Sequence, residues 1–271
     1  MTFTTRLALA LALPLAMFAP VPAAAGVGDL LVAPTRIILN GSRGSEIVLS
    51  NIGDEVATYR VSVELRRMKE DGTLEEVAAA SDREKTAHDM IFYAPRRVTI
   101  APNEPQTIRI SARAPQGLAD GEYRAHLLFR AVPPPRPVKP AAEVKGIAFE
   151  LIPIYGVTIP VVIRMGNLQA KVGIANVQLT SQSGKPAVSL DLTRAGDRSI
   201  YGDVRVFKAG IKDPIAIQRG VAVYTEIGTR HMVIPVNPEV AASASGLVTI
   251  DFVETSDAGP MPLAETKTVL R

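Results

Sequence analysis

Apolar positions in this chain recur mostly at a period of two. Tyr59, Val61, Val63 and Leu65 alternate with Arg60, Ser62, Glu64 and Arg66, the pattern of a strand with one face turned inward. QTIRISARA, residues 106–114, repeats it, with Ile108 and Ile110 set against Arg109 and Ser111. LLVAPTRIIL, EIVLSN and EYRAHLLFRAV read as further strands. Asn40-Gly41-Ser42 and Asp71-Gly72 mark turns between such runs. After Met165-Gly166-Asn167 the texture restarts with AKVGIANVQLT, PAVSLDLTR, IYGDVRVFK, RGVAVYTEI, RHMVIPV, GLVTIDFVET and TKTVL. Helical periodicity is nearly absent. AAASDREKTAHD, residues 78–89, has room for one short helical turn.

Each half therefore holds roughly seven strand candidates at the spacing of a sandwich or barrel. Two such sets predict an all-β chain of two immunoglobulin-like β-sandwich domains in tandem. The expected units are residues 26–164 and residues 165–271.

One stretch breaks the alternation. KGIAFELIPIYGVTIPVVIR, residues 145–164, follows the proline-rich AVPPPRPVKPAAE and is apolar in both registers. It is about three times the usual strand length of 5–6 residues. A strand apolar on both faces is either central in a core or destined for an interface.

The first 25 residues carry one Arg, then a Leu/Ala-rich run, then Val21-Pro22-Ala23-Ala24-Ala25. The run is too short and too proline-broken to span a bilayer. It reads as a signal peptide cut after Ala25, leaving about 245 exported residues. Removing Arg6 lowers the formal charge from +3 to +2. That near-neutral balance argues against nucleic acid as a partner. There is no cysteine, hence no thiol chemistry and no Cys-based metal site.

Catalytic signatures are missing from the sequence. His88, His126 and His231 show no metal-ligand spacing and read as ordinary strand or loop residues. There is no G-x-S-x-G elbow, no Walker loop and no dinucleotide fingerprint. Acidic residues are scattered along solvated strand faces. The expectation is a binding protein without cofactor or metal, not an enzyme.

Several segments together resemble one family, the periplasmic chaperones of chaperone–usher pili. Pro34-Thr35-Arg36-Ile37-Ile38-Leu39-Asn40-Gly41 is similar to the family's opening strand with its basic residue. VTIAPNEPQTIRISA and GEYRAHLLFRAVPPP resemble its strand-with-arginine and its sixth strand, and the long apolar stretch stands where the family has its seventh. The likeness covers most of the exported N-terminal half; the C-terminal half resembles the family in texture only. It implies a boomerang-shaped periplasmic protein that folds, caps and delivers pilus subunits to an outer-membrane usher. The implied mechanism is donor-strand complementation, in which the seventh strand completes an unfinished subunit sandwich.

The resemblance assigns Phe149, Leu151, Pro153, Tyr155 and Val157 as donors, with Ile152 and Ile154 in the opposite register. It assigns Arg36 as the anchor for the subunit's terminal carboxylate. Most members add a Lys on the seventh strand, where this chain has Pro160. Arg124 is then the expected second cation, ahead of Arg130, and the branch is divergent or archaic. The free protein is expected to self-associate through its apolar edge. The competing reading is an exported two-domain structural or adhesive surface protein without chaperone activity.

Overall fold

A computed structural model describes residues 29–41, 43–134, 153–256 and 259–271. The signal peptide reading, Phe149, Leu151 and Ile152 lie outside the described residues. The first part of the chain runs β1 (Leu30–Ala33), β2 (Ile37–Asn40), β3 (Ser45–Asn51), β4 (Ala57–Glu64), β5 (Arg66–Met68) and β6 (Leu74–Glu76). It continues with α1 (Asp82–Met90), β7 (Ile91–Ala94), β8 (Arg97–Ile100), β9 (Pro105–Ala112), β10 (Gly121–Val132) and β11 (Gly156–Met165). The second part runs β12 (Ala170–Gln182), β13 (Lys185–Gly196), β14 (Ile200–Lys208), β15 (Ala216–Val223), β16 (Thr229–Pro235), β17 (Gly246–Ser256) and β18 (Gly259–Leu270).

The protein is all-β, built as two sandwiches. In the first, the sheet β1-β3-β9-β7 packs on the sheet β2-β11-β10-β4-β8. Their shared core holds Ile47, Leu49 and Ile108 from one sheet against Tyr59, Leu127, Phe129 and Val161 from the other. The period-two pattern accounts for this: Tyr59 and Val61 are buried while Arg60 is exposed. In the second, β12-β13-β16 packs on β15-β14-β17-β18 around Val188, Leu190, Val204, Ile250 and Phe252.

One run that read as a single strand is split, and a second segment changes sheets in the same way. LLVAPTRIIL becomes β1, antiparallel to β3, and β2, parallel to β11 in the opposite sheet. Likewise β7 pairs with β9 in one sheet and β8 with β4 in the other. A cis Ala–Pro bond stands at each crossing, Ala33–Pro34 and Ala94–Pro95. The lateral edges of the two sheets are β1 with β2 and β7 with β8, so a crossing chain closes each corner of the first sandwich.

The helix exceeds the single turn expected from the sequence. It is nine residues long, opened by a capping box in which Ser81 and Glu84 satisfy each other's backbone N–H groups. Buried Ala87 and Met90 seat it. It has too few apolar positions to announce itself by period. The Arg67 guanidinium, bonded to Glu84 at 2.7 and 2.6 Å, holds that carboxyl down to about 2 and ties the helix to β5.

Candidate functional site

The crossing between β1 and β2 makes the first element of the site. β10 and β11 pair over the whole of β11, from Gly121↔Met165 to Arg130↔Gly156. On the other side, β2 pairs with β11 only from Val161 to Arg164. Upstream of Ile37 the chain has already left for the opposite sheet. Among the described strands, Gly156–Pro160 therefore have a neighbour on one side only. An unpaired strand edge is a template for another strand. It continues into Ile154 and Tyr155, 47% and 56% exposed, with the Tyr155 carbonyl accepting from Ala131 N–H at 2.9 Å.

Parity along this strand is clear. Ile159, Val161 and Ile163 lie in the first core, and Val157 packs against it. Val157 is thus engaged with its own sandwich, while Pro153 and Tyr155, on the same parity, are exposed. Val162 and Arg164 lie on the opposite parity, Val162 being fully buried.

Arg36 stands at the end of the open edge. It immediately precedes Ile37, whose register partner is Val161. Its guanidinium carbon lies 4.6 Å from the ring centre of Tyr201, on the second sandwich. Nε and Nη1 of Arg36 are buried and have no hydrogen-bond partner among the described residues. Burial, then the nearby charge of Arg164, lowers the pKa of Arg36 below the ordinary guanidinium value, with Tyr224, Glu122 and Tyr201 opposing.

Other polar groups at this junction pair across the two sandwiches, though Glu122 Oε1, Arg124 Nε and Ser199 Oγ are also buried without a partner among the described residues. Arg124 stacks on Tyr224 at 3.7 Å and is ion-paired with Glu226. Glu226 also accepts from Met68 N–H at 2.8 Å. Glu122 and Arg164, register partners on β10 and β11, clamp one residue of the second sandwich. Glu122 accepts from Ser199 N–H at 2.9 Å, and Arg164 donates to the Ser199 carbonyl at 3.1 Å. The Glu122–Arg164 pair itself closes at 3.1 Å, with the Glu122 side chain 0% exposed. Arg194 donates to carbonyls of Gly196, Arg198, Thr225 and Ile227 and so shapes the loops that present Ser199 and Glu226.

Of the sequence-assigned residues, Arg36 and Arg124 come to one junction, both beside Tyr224 in its electrostatic surroundings. Arg124 already has a carboxylate, that of Glu226. Arg130 lies on an exposed position of β10. Pro160 faces His126 across the ladder. His126 is buried, and burial, with Arg124 and Arg66 nearby, pushes its pKa down to about 3. His88 and His231 are exposed and pair with Asp89 and Asp191. Tyr201, Tyr224, Glu122 and Glu226 escaped the sequence reading because no period marks them. The scarcity of aromatic residues, 5% of the chain, was the only available signal.

Neither a family model nor a curated protein sequence matches the chain. Solved chaperone structures do resemble it. The YadV chaperone is similar at 15% identity, covering 89% of this chain and 100% of that one, with a TM-score of 0.48. The E. coli chaperone DraB is similar at 14% identity, covering 91% and 98%, with a TM-score of 0.47. The CsuC–CsuE chaperone–tip adhesion subunit pre-assembly complex from archaic chaperone–usher Csu pili of Acinetobacter baumannii is similar at 14% identity, covering 89% and 97%, with a TM-score of 0.45.

Proposed function

We propose that the protein is a periplasmic assembly chaperone that lends its β11 edge to an unfinished pilus subunit and hands it to an outer-membrane usher. Residues 26–164 form the subunit-binding domain and residues 165–271 its partner. One observation carries the reading: the open lane beside Gly156–Pro160 ends at Arg36, whose buried Nε and Nη1 lack an acceptor.

The direction of the guest strand follows from that placement. β2 leaves Arg36 parallel to β11. A guest running parallel to β11 in the vacant lane brings its C-terminal carboxylate to the guanidinium. An antiparallel guest brings its ammonium there, against a like charge. Backbone pairing along the lane supplies affinity with little sequence demand. The carboxylate at Arg36 adds a charge-assisted bond and fixes register.

The donor side chains follow from parity. The inward face of β11, carried upstream beyond the first sandwich, becomes the inward face of a guest sandwich built onto the same sheet. On this reading Phe149, Leu151, Pro153 and Tyr155 face the guest, with Val157 at the border. Three to five such side chains at about 1.5–3 kcal/mol each contribute roughly 5–15 kcal/mol before ordering costs. This is comparable to a domain's stability.

The test is co-expression with an exported subunit and purification from periplasm. A one-to-one complex is expected that is lost in Tyr155→Asp and Leu151→Asp, with the free protein still folded. Extending the subunit's C-terminus by two residues should weaken it strongly, as should Arg36→Ala. Undiminished binding by all four variants excludes the chaperone reading and leaves the structural or adhesive one.

A further inference from the structure

Tyr201 is held firmly beneath Arg36 by its own sandwich. It pairs with Ala222 across the β14–β15 ladder, and its ring packs against the small cluster of Met68, Ala222 and Tyr224. Gly220 leaves room for the phenol: a Cβ there would come within 3.2 Å of the Tyr201 oxygen. The stack has a twin nearby, Arg124 on Tyr224 at 3.7 Å. The twin has its acid in Glu226. Among the described residues Arg36 has the ring but no paired acid, and two of its nitrogens find no acceptor. A guanidinium lying on an aromatic face has that face shielded from water, and its N–H groups point outward in its plane. An incoming acceptor then has one plane of approach.

We propose that Tyr201, on the second sandwich, is the positioning residue for the carboxylate grip of Arg36, on the first. The guest strand lies on one sandwich, yet discrimination of its terminus depends on the other. This rests on the anchor reading of Arg36.

The experiment uses the full-length exported chain, labelled with 15N, and follows the Arg36 Nε–H resonance, assigned by its loss in Arg36→Lys. Acetate is the probe, with chloride as the control. In the wild type the resonance should stand away from the free-arginine position through the ring current and shift saturably with acetate. Tyr201→Phe should keep both properties. Tyr201→Leu should bring the resonance to the free position and weaken acetate binding roughly three- to thirtyfold, the factor matching a cation–π contact. Equal acetate affinity in wild type and Tyr201→Leu overturns the inference and leaves the anchor intact. No acetate response in the wild type overturns the anchor and the inference with it. Should Tyr201→Leu fail to fold, the wild type alone still decides: an Arg36 resonance without ring-current shift overturns the stack.

Discussion

His126 and His231 make the protein respond to pH in opposite senses. His126 is 1% exposed, its Nδ1 has no partner among the described residues, and burial pushes its folded pKa down to about 3. The unfolded value is near 6.5. Below that pH the unfolded chain takes up a proton that the folded chain refuses, so stability falls as pH drops from about 6.5 toward 3. The loss is about 2 kcal/mol by pH 5. Urea midpoints between pH 7 and 5 should show it, and His126→Gln should flatten the slope. His231 is exposed and hydrogen-bonded to Asp191 at 2.6 Å, which raises its pKa. Its contribution is fully present below the unfolded pKa and lost as pH rises through the raised folded value; His231→Gln should remove that alkaline drift. Neither role is legible in the sequence, where both histidines sit in ordinary strand runs. What separates them is burial, which depends on what folds over each residue.

The hairpin β5–β6 reaches from the first part of the chain onto the second sandwich. Met68 N–H bonds to Glu226, 158 residues away. Its side chain joins Ala222 and Tyr224, and the Glu70 carbonyl accepts from His231 N–H at 2.6 Å. Gly72, at φ 83°, lies against the Arg230 guanidinium, where a Cβ would come within 2.3 Å. Glu226→Ala takes from Arg124 its carboxylate, leaving the Arg66 carbonyl at 3.2 Å, and from Met68 N–H its acceptor, and should cost about 3 kcal/mol; Met68→Ala should cost about 2 kcal/mol. Chemical denaturation of each variant measures both. The turn at Asp71-Gly72 was legible from its composition. The docking was not, because contacts this distant leave no trace in a local pattern, and Arg66–Met68 read as the tail of β4. The strands of both halves were legible because period two and burial coincide, as at Tyr59 and Ile108. The sheet changes were not, because period two says which face a side chain takes but not which sheet a strand joins.

At the scale of the molecule, the two sandwiches are coupled by a backbone clamp as well as by side chains. Glu122 and Arg164 hold both the N–H and the carbonyl of Ser199. Glu122→Ala should release them together: amide exchange at Ser199 should rise at least about tenfold, matching a loss above 1.4 kcal/mol. X-ray scattering should show a broader distribution of angles between the sandwiches. The family resemblance singled out Arg36 from its place before Ile37-Ile38-Leu39, whereas the ring beneath it comes from Tyr201, far along the chain. The crossing at Pro34–Arg36 works like the zero mark of a ruler. It sets where the vacant track stops and puts the charge at that stop, within three consecutive residues. Adding one residue there would move the mark by about 3.3 Å and exchange the faces of every side chain in a strand measured from it. Length and side-chain pattern would then be gauged from a single origin, and a chain one residue too long would fail on both counts at once.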